Sequence, residues 1–217
     1  MPRTMEVQVY QFEKLSDAAK DKARDWYREC TGQDFGAFGE LFEPAETAAA
    51  LLGIDFATNT VQLSNGKTRQ EPDIRWSGFS SQGDGASFVG SYTFKKDCAE
   101  TIRQEFGTDA TLAKIADELT AFHCRYVLAH GSREWEGQIT QDGRYYHKRT
   151  MDATVTDENG DELDADVCNE FLEIMRDFAQ WIYDGLEREY DYCMSDENAE
   201  DNIRANEYEF TEEGKRA

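Results

Sequence analysis

Val167, Phe171, Ile174, Phe178, Ile182 and Leu186 recur at intervals of three and four residues, the period at which one side of an α-helix meets a core. The spacing predicts a helix from near Asp164 towards Tyr190. On the same stretch Glu170, Glu173, Asp177, Asp184, Glu187 and Asp191 fall at helical spacing too, with Gln180 filling the gap. All six carboxylates therefore share one face. Like charges three or four residues apart destabilise a helix by roughly a few tenths of a kcal/mol per pair, and only Arg176 and Arg188 lie nearby to relieve them.

That stripe belongs to a wider asymmetry. Of 217 residues, 45 are Asp or Glu and 23 are Lys or Arg, a net charge of -22, and residues 157–217 alone hold 21 acids against 5 bases. Direct nucleic-acid binding is not expected, since it needs cations that displace counterions from phosphates. An anionic membrane surface is disfavoured for the same reason. No stretch approaches about 18 consecutive apolar residues, and Met1 to Tyr10 has no apolar run of the signal-peptide type. The expectation is a cytoplasmic protein. With 13 Phe, 10 Tyr and 4 Trp the chain has the bulk to build a core.

The remaining pattern is α+β: an antiparallel sheet built from two hairpins packed against several helices. Val7, Val9 and Phe12 alternate as a strand. Ser16 is an N-cap for a helix carrying Ala19, Ala23, Trp26 and Tyr27, with Thr31-Gly32 as its stop. Pro44–Leu52 reads as a short helix ending at Gly53, and Ile54–Leu63 as a strand reaching a turn at Asn65-Gly66. Ile74–Phe79 and Phe88–Phe94 read as a hairpin around Gly83-Asp84-Gly85; Arg133–Thr140 and Arg144–Thr156 as a second, turning at Asp142-Gly143. Helices are expected over 97–105 and over 109–128, the second with Leu112, Ile115, Ala116, Leu119, Phe122 and Tyr126 inward. Residues 1–193 are expected as a single domain, and 194–217 as an acidic tail with a short strand at 208–210.

Few motifs carry chemistry. Cys30, Cys98, Cys124, Cys168 and Cys193 are odd in number and widely spaced, so buried reduced thiols are expected. His123, His130 and His147 include no i, i+4 pair, and no metal site is expected. Asp157 to Asp164 departs from a calcium loop, with Gly160 at its fourth position and Cys168 at its twelfth, and reads as a turn leading to Asp164. No nucleophile and base pair by motif, so no catalytic residue, cofactor or enzyme class is assigned.

The small and polar residues between the strands of the first hairpin are an alternative. A rigid loop offering Ser80, Gln82, Gly83, Asp84, Gly85 and Ser87, together with His147, is a candidate site for a partner protein or for a small ligand such as a nucleotide, bound or acted on there.

Leu15 to Tyr27, the Trp76–Tyr92 hairpin with Ser81-Gln82-Gly83-Asp84-Gly85-Ala86-Ser87-Phe88, Ile115-Ala116-Asp117 and Tyr145-Tyr146-His147 together resemble a family of tailed-phage and prophage proteins. Some of its members carry the label of an antitoxin of a toxin–antitoxin stability system. The resemblance covers about residues 7 to 150 and implies no catalytic residues. It implies a phage setting, in which an acidic protein is expected to bind and block a host nucleic-acid-binding defence complex of the restriction or CRISPR type, as a mimic of nucleic-acid charge. On that expectation Glu170, Glu173, Asp177, Asp184, Glu187 and Asp191 steer a basic partner, and Trp181 and Tyr190 supply an exposed aromatic anchor. A toxin partner and a homodimer stay open beside it.

Overall fold

A computed structural model describes residues 8–35, 41–62, 65–131 and 134–217. In chain order the elements are β1 (Tyr10–Gln11), α1 (Asp17–Asp34), α2 (Glu43–Leu52), β2 (Ile54–Phe56), β3 (Thr58–Gln62), β4 (Thr68–Pro72), β5 (Ile74–Ser77), β6 (Gly85–Phe88), β7 (Gly90–Thr93), α3 (Cys98–Glu105), α4 (Ala110–His130), β8 (Trp135–Gln141), β9 (Met151–Asp157), α5 (Ala165–Cys193), α6 (Asp196–Ala205) and β10 (Glu209–Phe210). The class is α+β, and the paired strands are antiparallel. The described residues group into two compact units, one of residues 39–185 and one formed by 1–38 with 186–217. Among the described residues no helix is long and apolar enough to cross a membrane.

The larger unit is built on a four-stranded sheet in the order β2-β7-β8-β9. Strands β8 and β9 alternate strictly: Trp135, Ile139, Met151, Ala153 and Val155 are buried while the residues between them face outward, the pattern of a sheet covered on one side. Leu112, Ile115, Ala116, Leu119, Phe122 and Tyr126 of α4 are all buried as their spacing requires. Phe171 of α5 packs on Tyr92, Phe122 and Trp135, with ring centroids 5.3, 5.9 and 5.7 Å away. A Cβ at Gly137 would lie 2.5 Å from the Phe171 ring, so β8 must be bare there for the helix to seat. Val167, expected in the apolar stripe, is only half-buried.

Several boundaries differ from the sequence pattern. The segment Phe88–Phe94 does not act as one hairpin arm. Ile74–Ser77 pairs with Gly85–Phe88, and after Val89 the chain leaves the hairpin as β7 to join β2 and β8. Val89 makes the switch by donating its N–H to Asp73 O (3.1 Å) while its carbonyl accepts from Ala57 N–H (2.8 Å). In the second hairpin β9 begins at Met151; residues 142–150 form a loop ending in a 3-10 turn at Lys148–Thr150. Leu63 and Arg133, expected at strand ends, lie outside the described residues, as does Val7.

In the smaller unit Ser16 caps α1 by accepting the Ala19 N–H at 3.3 Å. The helix runs through Thr31-Gly32, because Gly32 keeps a helical conformation without the positive φ of a C-terminal stop; the Met194 methyl stands 3.3 Å from where its Cβ would be. The strand expected from Val7 shrinks to Tyr10–Gln11, followed by a 3-10 turn over Phe12–Lys14. The acidic segment expected as a tail holds α6, capped by Ser195, whose Oγ accepts from Asn198 N–H at 3.1 Å. Its charge is tied locally: Arg24 and Arg204 both reach Glu200 at 2.6 Å, and Arg28 pairs with Asp196. Phe12, Leu15, Ala19, Ala23, Ile203 and Phe210 form the core beneath.

The cysteines depart from the expected burial: Cys98 and Cys168 are buried and Cys193 is half-buried, but Cys30 and Cys124 stand on the exposed sides of α1 and α4. All five are free thiols.

One buried group lacks a hydrogen bond where the core is tightest. Among the described residues the Tyr92 hydroxyl has no partner, and burial pushes its ionisation far above the ordinary tyrosine range. Tyr92→Phe is expected to leave the melting temperature unchanged or raise it, as no hydrogen bond is lost. Gly137→Ala should destabilise by about 1–3 kcal/mol in chemical denaturation, because the sheet and Phe171 cannot both keep their places.

Candidate functional site

Three of the six carboxylates on the α5 stripe are matched by cations at its N-terminal end. Arg125 of α4 pairs with Glu170, Lys114 of α4 reaches Asp177 at 3.0 Å, and Arg176 reaches Glu173 at 2.7 Å. Lys114 also lies 3.3 Å from Glu118, and these carboxylates, Asp177 first, hold its ammonium above the usual lysine range. Pairs this exposed contribute at most about 1 kcal/mol each. Between α4 and α5 the surface opens into a cleft of about 420 Å³, walled by Glu118, Glu170, Glu173 and Asp177 with Arg125, and lined on its apolar side by Ala121 and Ile174. Farther along, Asp184 accepts from Gln180 Nε2 at 2.7 Å, Glu187 is half-buried and Asp191 is exposed.

The expected aromatic anchor is not there. Trp181 is only 8% exposed: its indole N–H donates to Asp109 Oδ2 at 2.7 Å while Asp109 Oδ1 caps α4 through the Leu112 N–H. The side chain is thereby committed to the core, stacked on Phe178. Tyr190 is half-buried and meets Phe35 edge-on at 5.2 Å.

The second candidate does assemble. Ser77 to Gly85 is bridged by a loop that Asp84 closes upon itself, its Oδ2 accepting the N–H groups of Ser81 (2.7 Å) and Ser80 (2.8 Å). Those two bonds hold the Asp84 carboxyl below its ordinary range. They also consume the N–H groups that a phosphate would need. Gln82 is exposed, and Gly83 approaches the Tyr145 ring.

His147 lies directly on this hairpin. A Cβ at Gly85 would come within 2.7 Å of its ring and 3.2 Å of its Cα. By strand alternation Ser87 shares that side of the hairpin with Gly85, and Arg75 and Ser77 stand opposite them. Ser87 is fully buried, and among the described residues its hydroxyl has no hydrogen-bond partner. Arg75 is gripped by Asp73 through two bonds of 2.7 and 2.8 Å, and its remaining nitrogen donates to Gln141 Oε1 at 2.5 Å. Gln141 Nε2 donates to the Tyr145 carbonyl (3.3 Å), and Thr150 Oγ1 donates to the carbonyls of His147 (2.7 Å) and Tyr145 (2.9 Å). From the other side Arg176 donates to the carbonyls of Lys148 (3.1 Å) and Met151 (3.0 Å). The 142–150 loop is thus pinned on two flanks.

Of the other histidines, His123 accepts the Trp135 indole N–H at 3.0 Å, and His130 stacks on Tyr126. Among the described residues no group of three or more His, Cys, Asp or Glu is arranged to hold a metal ion. The Asp157 turn is satisfied from within: its Oδ1 accepts from Asn159 and Asp161 N–H groups.

Burial, with the nearby charges of Lys148 and Arg149, holds the His147 imidazole below its ordinary range. As pH falls through that range the unfolded chain takes up its proton first, so the folded state loses stability. Between about pH 7 and pH 5 the melting temperature should drop more steeply for the wild type than for His147→Gln. Gly85→Ala should cost about 1–3 kcal/mol, since backbone as well as ring must move.

No curated protein and no solved structure matches the chain. Residues 38–196 match a domain of unknown function, DUF8835. The match spans most of the chain, which therefore belongs to the DUF8835 family.

Proposed function

We propose that this chain is a non-enzymatic interaction protein that engages a partner through its acidic surface, the partner being a host complex with a basic nucleic-acid-binding face. The observation that carries this reading is the carboxylate-walled cleft between α4 and α5. An Arg or Lys from a partner fits such a cleft with its aliphatic stem against Ala121 and Ile174 and its charged head among Glu118, Glu170, Glu173 and Asp177. The internal cations Lys114 and Arg125 sit on exposed, screened pairs and can be displaced at little cost. The net charge of -22 adds long-range steering. The resemblance to phage and prophage proteins supports choosing a restriction or CRISPR type of complex as the target.

A second reading rests on a different observation, the seating of His147 on Gly85 beside the 78–84 loop. It makes the protein a binder of a small ligand, such as a nucleotide used as an immune signal.

The experiment begins with a tagged capture from a defence-carrying bacterial lysate at low and moderate salt, followed by association kinetics with the purified partner. Glu173→Gln/Asp177→Asn/Asp184→Asn is expected to slow association at low salt by about tenfold or more and to flatten its salt dependence. Unchanged kinetics would reduce the stripe to a solvated face. A rise in melting temperature with a nucleotide panel, by linkage of binding to folding, supports the second reading, and a flat response counts against it.

A further inference from the structure

In a chain this acidic, six consecutive residues reverse the sign. Arg144, Tyr145, Tyr146, His147, Lys148 and Arg149 contain three full cations and no acid. Among the described residues none of the three cationic side chains pairs with a carboxylate; Arg144 instead lies over the Tyr145 ring, 6.0 Å from its centroid. Elsewhere in this unit Arg69, Arg75, Arg103, Lys114, Arg125 and Arg176 each hold an acid, while among the described residues Lys67, Lys95 and Lys96 do not, and these three are not gathered beside exposed aromatic rings. Tyr145 and Tyr146 are 61% and 42% exposed, unlike most of the chain's aromatic residues, and Arg144 and Arg149 are exposed beside them.

We propose that the Arg144–Arg149 segment, seated on the Ser77–Gly85 loop, is a binding site for a small nucleotide, with the cations taking its phosphates and Tyr145 or Tyr146 stacking on its base. The inference rests on the second reading above and changes which residues carry it. The 80–87 loop cannot cradle phosphate, because Asp84 already holds the Ser80 and Ser81 N–H groups and adds a negative charge. Cations beside aromatic faces on a backbone held in place are the general chemistry of phosphate-and-base recognition. Here Gln141, Thr150 and Arg176 fix the loop before any ligand arrives, which lowers the entropy lost on binding. His147 Nδ1 accepts the Arg149 N–H at 3.0 Å, leaving Nε2–H as a neutral donor at the centre of the segment. A single strand is disfavoured against a mono- or dinucleotide, since phosphates beyond the six-residue patch meet a protein of charge -22.

The test is calorimetric titration of the full chain with ATP, a cyclic dinucleotide, inorganic tripolyphosphate and a ten-residue oligothymidylate, all at one salt concentration. Arg144→Ala/Arg149→Ala and Tyr145→Ala alter exposed side chains, and circular dichroism checks that both remain folded. The expected result is that ATP or the cyclic dinucleotide binds, that the double variant weakens it at least tenfold, and that Tyr145→Ala or Tyr146→Ala weakens the nucleotide severalfold while leaving tripolyphosphate unchanged. If a nucleotide binds equally to all variants but is lost in Ser80→Ala/Gln82→Ala, this assignment is overturned while the small-ligand reading stands. If no probe binds at about 1 mM, both fall. Tighter binding of the oligothymidylate than of either nucleotide overturns the small-nucleotide assignment in favour of single-stranded nucleic acid.

Discussion

The larger unit hangs on the meeting of Phe171 with a strand that carries no side chain at Gly137. A helix with aromatic residues at helical spacing can approach a sheet this closely only where the sheet is bare, and here that point lies among Tyr92, Phe122 and Trp135. Once Phe171 is seated, the rotation of α5 is set. Glu170 then faces Arg125, and Asp177 faces Lys114. Arg176, five residues after Phe171, is brought to the Lys148 and Met151 carbonyls. One packing contact thereby determines both the carboxylate cleft and the footing of the 142–150 loop.

The charge that dominates the composition is less free than a count suggests. Glu170, Glu173 and Asp177 each hold a cation, and Asp196, Glu200 and Asp201 of α6 are laced to Arg24, Arg28 and Arg204. Pairs of this kind add little to stability but lower the local field, so they work against steering as well as against self-repulsion. The distribution leaves a chain whose negative sign is shared widely, while Arg144–Arg149 hold three cations and no acid.

Much of this was legible in the residues. The α4 and α5 core positions follow from their 3.6-residue period, the Ser16 cap from its side chain, and the β8–β9 pairing from its alternation. What escaped had physical reasons. Trp181 lies next in sequence to Gln180 and near the acidic stripe, yet its indole N–H finds a buried acceptor 72 residues away in Asp109, a pairing that no local pattern announces. Residues 88–94 look like one strand because extended backbone continues through Val89; only the change of hydrogen-bond partners divides it. The 144–156 segment alternates well enough to read as a single strand, which hid the cationic and aromatic loop at its start. The signal was present as three cations and two tyrosines within six residues of an acidic chain. His147 was the one member of that loop named as a candidate site residue, and its ring and Cα lie against Gly85 of the hairpin.

The pairing of β1 with β10 joins Tyr10 to Phe210, and the core of the smaller unit draws Phe12 and Ala19 together with Ile203 and Phe210. Residues 39–185, by contrast, form their unit from one uninterrupted stretch. During synthesis the two therefore face different schedules. The larger unit has all its strands and most of α5 once Gly185 has left the ribosome, whereas α1, made much earlier, meets α6 and β10 only when residues 196–210 appear. Closing a loop of nearly 200 residues is slow relative to local pairing. For most of translation the apolar stripe of α1, Ala19 and Ala23 with Trp26 and Tyr27, waits uncovered by the segment that closes its core.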